Sequence, residues 1–231
     1  KTLLCCKQLF NHACKLDLIA GNPATAFKPV DAGGVEKSRE RALKVSELVS
    51  LFKVLRDNNH IFTRDNYLAV ALLLSLGVRK GELIAAKWTE FDFDNQLWHM
   101  PKDRSKTGVA ITIPLPNASI DWFKELHARS GGSEFVFPSR RASKRRGYIS
   151  SDTLNHALAK LFGKKVDSNK QPYDNLLGQA GIEHFTIHDL RRTCRSMLAE
   201  LKVLPHIAER CLNHKLKGIE AVYNQHDYLE E

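Results

Sequence analysis

The chain has 231 residues, enough to bury one good core, or one core plus a fragment of a second domain. A formal net charge of +9 favours a polyanionic partner, either nucleic acid or an anionic membrane surface. No apolar run reaches the roughly 18 residues of a membrane span. The five cysteines (Cys5, Cys6, Cys14, Cys194, Cys211) are odd in number and form no CxxC pair, which speaks for a reducing compartment and against a disulfide framework.

The N-terminus has no signal-peptide layout and begins with Lys, as expected of a piece excised from a longer chain. Residues 1–20 read as an amphipathic helix with Leu3, Cys6, Phe10 and Ala13 on one stripe, stopped by Gly21-Asn22-Pro23. A single helix cannot bury that stripe, so residues 1–27 suggest the tail of a truncated domain. Residues 28–40 are polar, carry Pro29 and Gly33-Gly34, and lack periodicity, which predicts a linker.

From Arg41 the pattern turns regular. The spacing predicts a helix over 46–55 with Leu48, Val49, Leu51, Phe52 and Leu55 inward. A nearly all-apolar helix follows over 67–76, hence central, with Gly77 as its C′ residue. Arg79 then stands in GVRKGEL, with Glu82 opening the next helix. Arg79 can complement a helix dipole or clamp a phosphate, and a second arginine at 191 favours the clamp. Glu82 is expected to support, by pairing with or orienting a basic neighbour.

Residues 88–115 change to strand chemistry, with a turn at Asp94-Asn95 and alternation in VAITIPL. Trp98 reads as packed in the sheet. PKDRSKTG is a hairpin turn carrying Lys102, Arg104 and Lys106. Lys102 and Arg104 read as solvated loop residues, with phosphate contact as an option. A helix is predicted over 117–129, ended by Gly131-Gly132, and FVFP as a short strand or extended run. Arg140, Arg141, Lys144, Arg145 and Arg146 fall in a loop without an acid; contact with a DNA backbone is the better reading beside a phosphate-handling site. Residues 151–162 form another predicted helix, and 163–182 a mobile connection without periodicity.

The richest stretch comes last. Thr186 and Asp189 predict a capping box, which places His188 in the first turn of a helix and on one face with Arg191. Leu190, Cys194, Met197, Leu198 and Leu201 supply its expected buried side. Pro205 opens a short helix, His214 follows in a loop, and Tyr223 comes nine residues later, anchored by Ala221 and Val222. Arginine offers a rigid fork matched to phosphate oxygens. Histidine donates or handles a proton near neutral pH. Clustered cations favour the phenolate of a tyrosine. Together these residues suit chemistry on a phosphodiester. Cys211 and His214 have metal-ligand spacing but lack two further partners, so no metal site is expected.

GVRKGEL, HDLRRT, LNH and VYNQHDY together resemble the tyrosine recombinase (phage integrase) family, nearest to the integrases of prophages and genomic islands. The resemblance implies an α+β, mainly helical catalytic-domain fold over 41–231, with a small antiparallel β-sheet on one side. It implies that 1–27 is the end of a core-binding domain and that the 151–162 helix lies close to DNA. It implies a metal-free, cofactor-free recombinase in which Arg79, Arg191, His188 and His214 hold the scissile phosphate. Tyr223 would then attack to form a 3′-phosphotyrosine while Lys106, the best match to the family's general acid, protonates the leaving 5′-oxygen. Its partners would be double-stranded DNA attachment sites, four protomers assembling on DNA from free monomers, and accessory DNA-bending or directionality proteins, in the cytoplasm of a bacterial cell and away from membranes. The competing reading is a non-catalytic basic DNA-binding module that kept the fold.

Overall fold

The computed structural model describes residues 2–34, 40–140, 146–166, 168–169 and 171–214. The chain separates into two compact units, Lys1–Glu40 and Arg41–Glu231.

In the first unit, helix α1 (Thr2–Lys15) ends earlier than expected, because Asp17 turns left-handed at φ 54°. Leu3, Cys6, Phe10 and Ala13 are half-buried and no residue of α1 is fully buried. Asn22 ties the following turn back to the helix, its amide donating to Lys7 O at 3.0 Å and Asn11 Oδ1 at 2.7 Å. Among its described residues, the stretch read as a linker contains a 3₁₀ turn, Pro29–Ala32.

The second unit is an α+β, mainly helical structure. Its helices among the described residues are α2 (Val45–Asp57), α3 (Arg64–Leu76), α4 (Lys80–Ile84), α5 (Asn117–Arg129), α6 (Thr153–Leu161), α7 (Leu176–Gln179), α8 (Ile187–Glu200) and α9 (Pro205–Cys211). Helix α3 is the hub. Leu68 to Leu73 are all buried, so it shows apolar residues on every side, and α2, α4, α5 and α8 pack around it. Three short antiparallel strands, β1 (Phe91–Asp92), β2 (Leu97–Met100) and β3 (Ile111–Pro114), pair in chain order, with Trp98 opposite Phe91 and Ile113. Trp98 is fully buried, stacked on Phe91 at 5.2 Å, and its indole N–H donates to Glu90 at 2.9 Å. A buried indole needs such a partner.

Three expectations about packing are corrected. Val49 is 68% exposed, because Leu48, Leu51 and Leu55 define the inward stripe of α2 and Val49 lies about 100° around the helix from Leu48. Leu201 is 73% exposed; it caps α8, where the chain turns out of the core side. The 163–182 stretch is not structureless. It holds α7, started by Asn175, whose side chain accepts the Gly178 N–H at 2.9 Å, and it buries Leu177 and Ile182. A one-turn helix is too short to leave a periodic signature.

Candidate active site

The site begins where α3 stops. Gly77 takes a left-handed conformation (φ 60°) that ends the helix and frees its carbonyl to point away from it. A Cβ there would sit 2.7 Å from Leu212 Cδ2 and 3.0 Å from Cys194 Sγ, so glycine is required by space as well as by conformation. Two residues on, Arg79 caps α4. Glu82 accepts its backbone N–H at 3.0 Å and its Nη1 at 3.1 Å. Glu82 is only 3% exposed, and a carboxylate so buried needs these partners. It also accepts the N–H of Lys106 at 3.3 Å, which brings the hairpin turn beside Arg79.

That turn is held from both sides. Arg104 is not a solvated loop residue: it is held by protein partners. Its guanidinium forks onto the buried Glu90 carboxylate, with Nε donating at 2.7 Å, and reaches Glu82 O at 3.0 Å. The sequence offers no sign that this arginine would fold back onto Glu90, the last residue of a 3₁₀ turn over Trp88–Glu90. On the other side, Asn213 donates to Ser105 Oγ at 3.1 Å and accepts from Thr107 Oγ1 at 3.4 Å. Lys106, between those two residues, stays exposed.

Helix α8 starts as its sequence predicts. The Thr186 N–H and hydroxyl both donate to Asp189 at 2.8 Å. Burial raises the Asp189 pKa, but those bonds and Arg192 outweigh it and hold the carboxyl below its ordinary value. One turn in, Arg191 is buried, donating through Nη1 to Gly77 O and through Nη2 to Leu212 O. Burial first, then the charge of Arg79, pushes its pKa down to about 10, so it stays charged at neutral pH. His188 is exposed at one edge, yet burial of its ring, then Arg192 and Arg191, lower its pKa; Lys106 adds to this and Asp189 opposes it. These surroundings favour the neutral imidazole.

His214 closes the site. Its Nδ1 bonds Glu209, whose other oxygen accepts from Arg195 Nε at 2.8 Å. Arg79, Lys106, His188, Arg191 and His214 are thus brought onto neighbouring elements, joined through Glu82, Gly77, Leu212 and Asn213. Tyr223 lies outside the described residues, as do Arg141, Lys144 and Arg145. Arg140 is exposed and pairs with Asp65 at 3.1 Å, and Lys102 and Arg146 are exposed. Sequence reasoning missed Glu90, Glu209 and Asn213. Asn213, within LNH, and Glu209, five residues before His214 across a helix end, carry a local signal; Glu90 does not.

Residues 41–230 match the model of the phage integrase family. Prophage integrase IntA of Escherichia coli K12 is 30% identical over 154 residues, covering 66% of this chain and 32% of that protein. The integrase of enterobacteria phage P4 is 27% identical, covering 88% of this chain and 50% of its own length. The chain therefore spans half or less of these curated relatives. A solved lambda integrase dimer bound to a COC′ core site superposes with a TM-score of 0.65 at 20% identity, over 99% of this chain and 59% of that one. A lambda integrase tetramer bound to a Holliday junction gives 0.62 at 20% identity, over 93% and 58%. The fold is shared with these structures, and by the match over 41–230 the chain belongs to the phage integrase family.

Proposed function

We propose that this chain is the catalytic part of a site-specific DNA recombinase that cleaves and rejoins strands through a 3′-phosphotyrosine. One arrangement carries the reading: Arg191 is anchored on Gly77 O and Arg79, two residues further on, is held by Glu82, so two guanidinium groups whose repulsion Glu82 only partly offsets are set on neighbouring elements. A phosphodiester relieves that repulsion, and the second negative charge that develops during attack relieves it further, so the pair favours the transition state over the ground state. Two of the five guanidinium donors of Arg191 are committed to carbonyls, which fixes the plane in which the others are offered.

Around that clamp each residue has a role. His188 donates an N–H to a phosphate oxygen or takes the proton from the nucleophile. His214 donates from Nε2, oriented by Glu209 at its other nitrogen. Tyr223 attacks phosphorus. The bond to the 5′-oxygen breaks, and Lys106, on a turn pinned at Ser105 and Thr107, delivers the proton that oxygen needs. A 5′-hydroxyl from another duplex then reverses the step, so no high-energy cofactor is consumed. Glu82 positions Arg79 and the Lys106 turn together.

The same reading extends to the whole protein. Residues 1–27 would be the end of a core-binding domain and 28–40 the linker. The partners would be duplex attachment sites, with four protomers on DNA, as in the lambda tetramer on its junction, and monomers when free. Accessory DNA-bending proteins and a bacterial cytoplasm complete the picture. The test is a nicked suicide duplex carrying the cognate site, incubated in EDTA and run on a denaturing gel. A covalent adduct supports the enzyme; firm binding with no adduct supports a module that kept the fold without the chemistry.

A further inference from the structure

Next to the clamp lies a second cleft, of about 400 Å³, between α4, α6 and the start of α8. Lys80, Lys164, His184, His188, Thr186 and Phe162 line it, and none of its lining residues is an acid. Lys80 is half-buried at the first position of α4, and it makes no ion pair among the described residues. Burial lowers its pKa, opposed only by the more distant charge of Asp152. Lys164, which also lines the cleft, has its Nζ 2.8 Å from His184 Nε2. A charged ammonium can only donate, so the imidazole accepts there, and its ring leans on Phe162 at 5.0 Å. Thr186, Ile187 and His188, at the start of α8, line the same space.

An ammonium withdrawn from water without a carboxylate beside it is unfavourable unless an anion compensates it. We propose that this cleft seats a second, non-scissile phosphate of the bound DNA strand, held between Lys80 and Lys164 beside the start of α8. The assignment rests on the reading that the chain handles DNA, but not on its cutting it. Arg79 and Lys80 are consecutive, and His188 lies in the cleft and beside Arg191, so the two phosphates are near neighbours on one strand. The device would fix the strand's path through the clamp as well as its affinity.

The test measures duplex affinity across salt for the full chain and for Lys80→Met, Lys164→Met and the double variant; methionine keeps the apolar stem. The double variant is expected to flatten the log–log slope by roughly 0.9, the value for one phosphate, and Lys80→Arg to leave it unchanged. An unchanged slope in the double variant, or a loss near 1.8, overturns the shared-phosphate seat. Methylphosphonates placed singly along the duplex give the position. The native chain should lose affinity at one non-scissile site near the cleavage point, and the double variant should be indifferent there. Equal sensitivity of both proteins at every site also overturns it. A chain with the expected slopes but no covalent adduct keeps this seat and loses the recombinase reading; an adduct with unchanged slopes does the reverse.

Discussion

The guanidinium of Arg191 donates to the carbonyl oxygen of Gly77, 114 positions earlier in the chain. That single bond joins the end of the central helix α3 to the first turns of α8, and it sets Arg191 beside Arg79, two residues past the glycine. Leu212 O takes the other arm of the fork, so the loop that carries His214 is registered against the same side chain.

Gly77→Ala is therefore expected to act at two levels. A left-handed alanine costs about 1–2 kcal/mol, and overpacking against Leu212 and Cys194 adds about 1–3 kcal/mol. Urea unfolding should show a loss in that combined range. Adduct formation, measured under conditions where the variant is folded, should fall by more than tenfold. A variant as stable and active as the native chain would show that the glycine is dispensable.

Arg104→Ala is expected to damage folding rather than DNA affinity. It leaves the buried Glu90 carboxylate without its cation, a change of about 3–5 kcal/mol for a buried pair. Glu90→Gln with Arg104→Met should recover part of the loss, since replacing both partners removes the orphaned charge. A stable Arg104→Ala protein with a reduced salt slope for DNA would restore the arginine to the phosphate-binding surface.

Much of the site was legible in the sequence because its signals are local. The Thr186–Asp189 bond spans three residues, and the Gly77–Arg79–Glu82 arrangement spans five, so helix-end chemistry alone places them. What was not legible depends on contacts between distant segments. Arg104 looks like any loop arginine until the sheet register brings Glu90 under it. Asn213 meets Ser105 and Thr107 only after α9 has docked. Lys80 looks like a helix-surface lysine until the fold sets it in one cleft with α6, Lys164 and His184. Val49 and Leu201 were misplaced for a related reason: periodicity gives the width of an apolar stripe poorly at a helix edge or end.

His188 should titrate below the ordinary histidine value of about 6.5, owing to burial and then to Arg192 and Arg191. Because its folded pKa is lowered, the group withdraws stability as the pH falls below about 6.5 and has no effect above it. Histidine resonances followed by NMR should give a midpoint under that value, and Arg192→Ala should raise it. Binding of a duplex should also raise it, with proton uptake, since a phosphate favours the imidazolium. A midpoint above 6.5 in the free protein would contradict the described surroundings of the ring.

The central claim is that Tyr223 is the nucleophile of this cluster, and peptide mapping of a covalent adduct tests it most directly. Tyr223→Phe removes one oxygen and keeps the ring, so folding and duplex affinity should survive. Tyr228→Phe is the control, since Tyr228 is the near rival in sequence. On a suicide duplex in EDTA, the native chain and Tyr228→Phe should each yield an adduct whose modified peptide contains Tyr223, and Tyr223→Phe should yield none. An adduct mapped to Tyr228, or one that forms only with a divalent metal, would contradict the account.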